Sequence, residues 1–313
     1  METVTSQRQE KSSKRHGGLR KLFSLEKSPL LYLLPMILFM LIMIGYPISR
    51  VIYLSFTQNI LTRPDLGVEF IGLSNYWTLM TSAEFWNTVA RTVGWTSLSV
   101  GGKVLIGFGI ALLLSKPIGF KKVYMFLLMV PWVTPMVVAA VSFRWMFDGQ
   151  FGTVNYLLLT VGIIQENIIW LGQAATAFIA TAIADMWLGL PFMILVFMAG
   201  LQAIPEEVKE AARMDGANGM QLLGKVILPM MKPVVLVAVT LSTIWTFNSF
   251  GVIWPMTRGG PLESTRTLVV DAYVRSFGAF DLGMGGAVAV VIFIFLMIFT
   301  YMYKRLLMKQ GEM

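Results

Sequence analysis

Long apolar runs separated by polar segments dominate this chain. The runs at 30–56, 92–115, 123–147, 174–201, 234–255 and 283–303 each reach about the 20 residues that a helix needs to cross a bilayer. The first run is too long for the core of a signal peptide and lacks a small-residue cleavage pattern, so it is interpreted as an uncleaved span. The pattern predicts an all-α, polytopic membrane protein with six transmembrane helices within residues 30–305.

The distribution of positive charge predicts the orientation of these helices. Of the 25 Lys and Arg residues, seventeen lie on the side that carries both termini, seven lie on the other side, and Lys103 falls inside the second run. Cytoplasmic loops carry the excess of positive charge, so both termini are predicted to be cytoplasmic. The same side then holds a basic, disordered tail at 1–29 and a short tail at 306–313. The net charge of +8 is therefore attributed to topology, and no nucleic-acid partner is expected.

Composition removes several kinds of active site. The chain contains no cysteine, and its one histidine, His16, lies in the basic tail. Disulfides, thiolate metal sites, cysteine nucleophiles and a histidine base are excluded. We therefore expect no catalytic residue and no metal ligand in this chain.

A polar island at 210–229 interrupts the apolar pattern between the fourth and fifth runs. Pro205 suits the first turn of a helix, and Glu206 and Glu207 would lie at its positive end. Asp215 and Gly216 predict a turn, after which a second short amphipathic stretch follows. The segment at 202–232 is thus predicted to form a helix–turn–helix hairpin across the cytoplasmic membrane surface. It is either a docking element or a cap on the helix bundle.

Residues 219–225 fit the first seven positions of a phosphate-binding loop, but this match is misleading. Val226 stands where Ser or Thr would hold magnesium, and no strand precedes the segment. The chain is not expected to bind ATP.

Several motifs together resemble a known family. The island has Glu-Ala-Ala at 210–212, Gly216 and Leu-Pro at 228–229, which is similar to the cytoplasmic signature of ABC importer permeases. The segments at 70–76, 148–155, 191–192, 199–205 and 257–261 resemble the carbohydrate-importer branch, and the Gly-Gly-Pro at 259–261 resembles its MalF-like or UgpA-like members. The resemblance extends over about 30–303 and implies the type I ABC importer permease fold.

The resemblance implies partners and a division of labour. A second, MalG-like permease would complete the pathway, a dimer of ATP-binding subunits would bind ATP and magnesium, and an extracytoplasmic solute-binding protein would deliver the solute. The complex would lie in the bacterial cytoplasmic (inner) membrane. The residues that would contact the ATPase or fix the return into the fifth span are Glu210, Ala211, Ala212, Asp215, Gly216, Leu228 and Pro229.

Two charged residues fall within predicted spans. Lys103 lies near the middle of the second run and Asp185 lies within the fourth. Intramembrane charges are costly and mark functional candidates by default. The two residues either pair with each other or other polar groups, or Lys103 faces the solute path and favours an anionic or acidic sugar.

Aromatic and amide side chains of the fourth and fifth runs are further candidates for the solute path. Sugars bind through aromatic faces and through amide or hydroxyl groups, although aromatic residues also serve simply as packing or interfacial anchors. The candidates are Trp187, Trp245, Asn248, Phe250 and Trp254.

The sequence therefore predicts one membrane subunit of an ATP-driven importer of a carbohydrate or carbohydrate derivative. An ABC importer for a non-sugar solute is the first alternative. A secondary transporter, which would show internal repeats and clearer ion-binding chemistry, is a weaker alternative, as is a membrane scaffold.

Overall fold

A computed structural model describes residues 29–311. The chain divides into two compact units, residues 1–53 and 54–313. The predicted basic tail lies outside the described residues except for Pro29, as do the last two residues of the predicted C-terminal tail.

The first unit consists of the predicted first span. Helix α1, Pro29–Met40, passes through a π-helical turn, Leu41–Gly45, into α2, Tyr46–Ser55. The π turn comes just before Pro47, where a regular helix would bring the proline ring against the carbonyl four residues earlier. The wider turn lets one long apolar helix continue past the proline.

The second unit contains a short antiparallel strand pair and the remaining helices. Thr57 of β1 (Thr57–Gln58) pairs with Phe70 of β2 (Glu69–Phe70). The helices that follow are α3 (Ser74–Thr81), α4 (Ala83–Leu114), α5 (Lys121–Val133), α6 (Met136–Met146), α7 (Thr153–Thr160), α8 (Ala174–Gln202), α9 (Glu206–Met214), α10 (Gly219–Leu222), α11 (Leu228–Phe247), α12 (Phe250–Thr257), α13 (Leu268–Tyr273) and α14 (Leu282–Gly311).

Helix α8 is central to the packing of the second unit. Its contacts with α4 are the most extensive in the unit, and it also packs against α5, α6, α11 and α12. Close approach depends on glycine in α4, since a Cβ on Gly107 would lie 2.8 Å from the Cβ of Met193. Phe197, also on α8, is fully buried and packs edge-on against Phe108.

The prediction of six spans is confirmed with a change at the third. Among the described residues, five helices are long and apolar enough to cross a membrane, and a bent helix pair would supply a sixth. That pair, α5 and α6, meets at an angle of 98° instead of forming the continuous helix predicted at 123–147. Thr134 is extended, with ψ of 124°, because the following Pro135 disfavours a helical residue before it.

The predicted limits of the fifth span, 234–255, are wrong at both ends. One continuous helical run extends from Gly219 through α10, a π-helical turn at Leu223–Ile227 and α11 to Phe247. The second half of the predicted surface hairpin is thus the start of the fifth span. Pro229 does not end the helix, because the π turn before it accommodates the proline in the same way as in the first unit. At the other end, the helix breaks at Asn248 before α12 begins.

Candidate functional site

Helix α9 is the first half of the predicted cytoplasmic hairpin. Residues at its ends and ion pairs along its side stabilise it more than packing does. None of its nine residues is buried. A helix this short is marginal alone, so its ends decide its stability. Pro205 stands at the N-cap, Glu206 and Glu207 lie in the first turn, and Arg213 lies in the last, as the helix dipole favours.

Ion pairs along one side of α9 add to this support. Lys209 Nζ donates to Glu206 Oε2 at 2.9 Å, and Arg213 Nη1 lies 3.4 Å from Glu206 Oε1. The hydrogen bond from Lys209 lowers the pKa of Glu206, with smaller electrostatic help from Arg213. These three side chains brace one side of α9, and Glu207 and Glu210 remain exposed.

The turn after α9 is set by Gly216 and Asn218. Gly216 has φ of +82°, a conformation that L side chains rarely adopt. Asn218 then caps α10 reciprocally: its side chain accepts from the Gln221 N–H at 2.9 Å, and the Gln221 side chain accepts from the Asn218 N–H at 2.9 Å. These two devices aim α9 and α10 in different directions, which creates the hairpin corner.

The residues predicted to contact an ATPase lie mostly on the surface of this hairpin. Ala212 is half-buried, whereas the others are exposed: Glu210, Ala211, Asp215, Gly216, Leu228 and Pro229. Sequence reasoning missed Met214, whose side chain is 88% exposed beside the turn. An apolar residue inside a polar island was the signal available for it. The exposed surface therefore combines carboxylates, small residues and the flexible apolar side chains of Met214 and Met220.

A cavity of about 870 Å³ lies behind the hairpin. Its walls come from the last turn of α4, the last turn of α8 and the start of α10, and Lys209 and Arg213 border it. The hairpin and the ends of the two most extensively packed helices thus line one cavity, and Leu222 of α10 is buried there.

A buried polar network lies within the helix bundle. The ammonium of Lys103 contacts the Oδ2 atom of Asp185, and the two residues are only 4% and 5% exposed. Lys103 Nζ also donates to Thr246 Oγ1 at 2.8 Å. The lysine is thus directed at the carboxylate, and the role of the pair in solute passage stays a prediction.

Three hydroxyl groups complete the surroundings of Asp185. Ser249 Oγ donates to Asp185 Oδ1 at 2.5 Å, Ser99 Oγ donates to Oδ2, and Thr246 Oγ1 lies 3.4 Å from Oδ2. The sequence had marked Ser249 as a further candidate for the solute path, but none of the three contacts with Asp185 was predicted. Ser99 could have been found, because its position four residues before Lys103 places it on the same face of α4.

Gly189 makes room for the lysine. A Cβ at this position would lie 2.7 Å from Cε, 2.9 Å from Cδ and 3.0 Å from Nζ of Lys103. Gly189 is four residues after Asp185, so it lies on the same face of α8. Helix α8 therefore supplies both the carboxylate and the space that the lysine chain occupies.

The aromatic candidates for the solute path fall into separate groups. Trp187 packs edge-on against Phe143 with ring centres 5.5 Å apart. Trp245 is 54% exposed and meets Phe192 edge-on at 4.9 Å. Neither group contains the other two predicted aromatic residues.

Those two residues, Phe250 and Trp254, belong to α12. They stack on each other at 5.7 Å, and both contact Tyr273. Asn248 is exposed at the helix break, where its side chain donates to the Ile244 carbonyl at 2.9 Å. The role of these residues in solute passage stays a prediction.

A second ionic network surrounds the loop before α13. It lies near the start of α4, at the opposite end of that helix from the hairpin. Asp271 is fully buried; Arg266 Nη2 lies 2.7 Å from its Oδ1 and Arg275 Nε 2.8 Å from its Oδ2. Burial lowers the pKa of Arg266, but Asp271 and Glu263 outweigh it and raise the pKa above its ordinary value. Both arginines also approach Glu84 at the start of α4. The network ties this loop to α4.

The side chains offer no metal centre in the described part of the chain. Among residues 29–311, no group of three or more His, Cys, Asp or Glu is arranged to hold a metal ion. The chemistry available at both networks is that of charge pairing and hydrogen bonding.

Comparison with known proteins identifies relatives that match most of the chain. It is 36% identical over 277 residues to the sulfoquinovosyl glycerol transport system permease protein SmoG of Agrobacterium fabrum, covering 88% of this chain and 89% of that protein. It is 32% identical over 275 residues to the trehalose/maltose transport system permease protein MalF of Thermococcus litoralis, covering 88% and 92%. It is 31% identical over 291 residues to the diacetylchitobiose uptake system permease protein DasB of Streptomyces coelicolor, covering 91% and 88%.

Solved structures confirm the predicted fold. A chain of a bacterial ABC transporter involved in the import of the acidic polysaccharide alginate superposes with a TM-score of 0.75, covering 91% of this chain and 99% of that chain. The two are 20% identical, so this likeness bears on the fold. The sequence model described as binding-protein-dependent transport system inner membrane component matches residues 103–309. The chain therefore belongs to the family of binding-protein-dependent transport system inner membrane components, the permease subunits of ABC importers.

Proposed function

We propose that this permease forms half of the translocation pathway for a carbohydrate or carbohydrate derivative. The observation that carries the proposal is the set of relatives just described, since each spans nearly the whole chain and each is named for a carbohydrate-containing solute. Their named solutes differ, so the proposal extends to the class of solute. Since Lys103 is paired with Asp185, the proposal does not assign it a role in selecting an acidic sugar.

The hairpin formed by α9 and α10 is proposed to couple this chain to ATP hydrolysis on a partner. Two features support this proposal. The ends of α9 are stabilised by Pro205 and by charged residues, and its exposed surface carries carboxylates, small side chains and Met214. Such a surface suits a groove on another protein. ATP and magnesium belong to that partner in this proposal, and this subunit contributes no catalytic group.

The complete importer is proposed to contain a second, MalG-like permease, a dimer of ATP-binding subunits and an extracytoplasmic solute-binding protein. The charge distribution supports a cytoplasmic location for both termini and for the hairpin. The loop around Asp271, at the opposite end of the second unit, would then face the solute-binding protein.

Solute-stimulated ATPase activity tests the proposed cargo. The complex is reconstituted in nanodiscs with its binding protein, which is loaded with the candidate carbohydrate that it retains on purification. We expect ATPase activity to rise with the loaded binding protein and uptake in proteoliposomes to require ATP. Retention of an amino acid or peptide instead would favour the non-sugar alternative, and uptake without the ATPase subunits would favour a secondary transporter.

Gly216→Ala tests the coupling hairpin. A Cβ here meets nothing within 4 Å, so the substitution acts through the backbone strain at φ of +82°. Gly224→Ala is the matched control, because its Cβ also meets nothing and its φ is not positive. We expect Gly216→Ala to lower ATPase stimulation by about tenfold, which corresponds to about 1.4 kcal/mol, with membrane insertion intact. Equal activity in the two variants would argue against coupling through this turn.

A further inference from the structure

The fifth membrane helix is broken between Phe247 and Phe250 without a proline. The residues at the break are Thr-Phe-Asn-Ser-Phe at 246–250. The N–H of Ser249 bonds the Thr246 carbonyl at 3.0 Å, and the N–H of Phe250 bonds the Asn248 carbonyl at 2.8 Å, so the regular helical pattern is lost. Sharp helix kinks have identifiable causes, of which proline is the commonest. Here the cause must be something else.

Side chains on both sides of the break are anchored to the buried network. Thr246, in the last turn before the break, accepts from Lys103 Nζ at 2.8 Å. Ser249, the residue immediately before α12, donates to Asp185 Oδ1 at 2.5 Å. Polar groups at membrane depth must find protein partners, because lipid offers none. The two hydroxyls hold the two ends of the break to a single ion pair.

The helical runs on both sides of the hairpin, α8 before it and the run from Gly219 after it, contain residues of the buried network. Helix α8 continues from Asp185 to Gln202, and three residues separate Gln202 from the start of α9. The continuous helical run from Gly219 contains Thr246 in its last turn and ends at Phe247. The lysine comes from α4, and Gly189 provides the space for it.

We propose that Lys103, Asp185, Thr246 and Ser249 are positioning residues for transport: they set the break in the fifth helix and so orient α12 with its Phe250–Trp254 stack. Helix α12 packs against α6, where a Cβ on Gly251 would lie 2.7 Å from Met136 Sδ. A small change of angle at the break therefore moves the aromatic pair and the partner helix together. The inference rests on the proposed function for its transport readout, but its structural readout needs no solute.

Ser249→Ala is the first variant, since it removes one hydroxyl from Asp185 and leaves the ion pair in place. Ser249→Thr keeps a hydroxyl and serves as the rescue. The matched control is Thr240→Val on α11, whose hydroxyl bonds only its own helix at the Leu236 carbonyl, at 2.8 Å. Ser142→Ala on α6 is the serine control, because its hydroxyl bonds the Val138 carbonyl in the same way.

The structural readout is the distance between two spin labels in the assembled complex in nanodiscs. The chain has no cysteine, so Val237→Cys and Arg258→Cys introduce the only labelling sites in this subunit. Both positions are exposed, one on α11 and the other at the end of α12. We expect Ser249→Ala to shift or broaden the distance distribution measured by pulsed electron paramagnetic resonance, and both controls and Ser249→Thr to leave it unchanged.

The functional readout is carbohydrate uptake with a saturating ATP supply. A hydrogen bond to a charged group is strong enough that its loss should lower the maximal uptake rate about tenfold, with the KM for the loaded binding protein unchanged. An unchanged distance distribution in Ser249→Ala overturns the inference, and so does a shifted distribution with unchanged uptake. If the wild-type complex takes up no carbohydrate but the labels still respond to Ser249→Ala, the proposed cargo fails and the positioning of the break stands.

Discussion

Breaking the Lys103–Asp185 pair should cost more stability than removing both charges together. The two residues are 4% and 5% exposed, so the charge left behind by a single substitution would be buried. Loss of one partner from such a pair typically costs about 3–5 kcal/mol, whereas removing both often costs little. The prediction therefore concerns an order among variants as well as a magnitude.

The hydrogen bonds of each partner place the variants within that range. After Lys103→Met, the carboxylate of Asp185 keeps hydroxyl donors from Ser99, Thr246 and Ser249. We expect a loss of about 3 kcal/mol. After Asp185→Asn, the ammonium of Lys103 keeps the Thr246 hydroxyl and an amide oxygen, so a loss of about 5 kcal/mol is expected.

The double variant Lys103→Met/Asp185→Asn should be more stable than either single variant. Neither charge remains buried, and the cost falls to about 1–2 kcal/mol for hydroxyls that lose a partner. The free energy of unfolding is measured for the purified permease by denaturation in dodecyl sulphate mixed micelles. Tryptophan fluorescence follows the transition, since the chain has nine tryptophans.

Lys209→Met supplies the matched control for the charge removal. Its partner Glu206 is exposed, and exposed pairs contribute little to stability. We expect no measurable change in unfolding for this variant. If the double variant loses as much as the sum of the two single variants, the two charges are not coupled and the reasoning about the pair is wrong.

Two further predictions concern charges outside the spans. Asp271→Asn should lower the free energy of unfolding by about 3 kcal/mol, because the partly buried guanidinium groups of Arg266 and Arg275 lose their buried carboxylate; a thermal midpoint equal to that of the wild type would contradict this. The pKa of Glu206 is lowered from its ordinary value of 4.5 by Lys209, so its support of α9 is present above that value and is lost as pH falls through the folded pKa. The protection factors of the α9 amides, which correct for the intrinsic pH dependence of exchange, should therefore fall below pH 4.5, and Glu206→Gln should remove that fall.

The apolar pattern predicted the helices wherever a run was uniform and had clear ends. The fourth run, predicted at 174–201, is α8, Ala174–Gln202. The sixth run, predicted at 283–303, lies within α14, which begins one residue earlier, at Leu282. Long apolar periods are strong signals, and Gly or Pro close to their ends marks the limits.

The errors came from prolines and from a break that has none. Pro135 does split the third run, at an angle of 98° that composition does not specify. Pro229 does not split the fifth, because a π-helical turn accommodates it. Near Ser249 the break depends on hydroxyl contacts to α4 and α8, which are remote in sequence. Local propensity has no information about such contacts.

Part of the candidate site could be predicted from the sequence. Lys103 and Asp185 stood out because charges inside spans need partners. Their hydroxyl partners did not, since serine and threonine are common in membrane helices and usually bond their own helix, as Thr240 does. The hairpin residues were predicted from motif and turn chemistry, and Gly216 has the positive φ that a turn after α9 requires.

The position of the buried pair gives a physical reason for placing a costly group in the membrane. Asp185 lies 17 residues from Gln202, which is about 26 Å along a helix. The run from Gly219 through Thr246 leads to the same pair from the other side of the hairpin. An apolar contact at their meeting point would slide, because dispersion has little directional preference. An ion pair with directed hydroxyl bonds holds a defined geometry, so movement of the hairpin relative to the bundle must either be transmitted to α12 or break the pair.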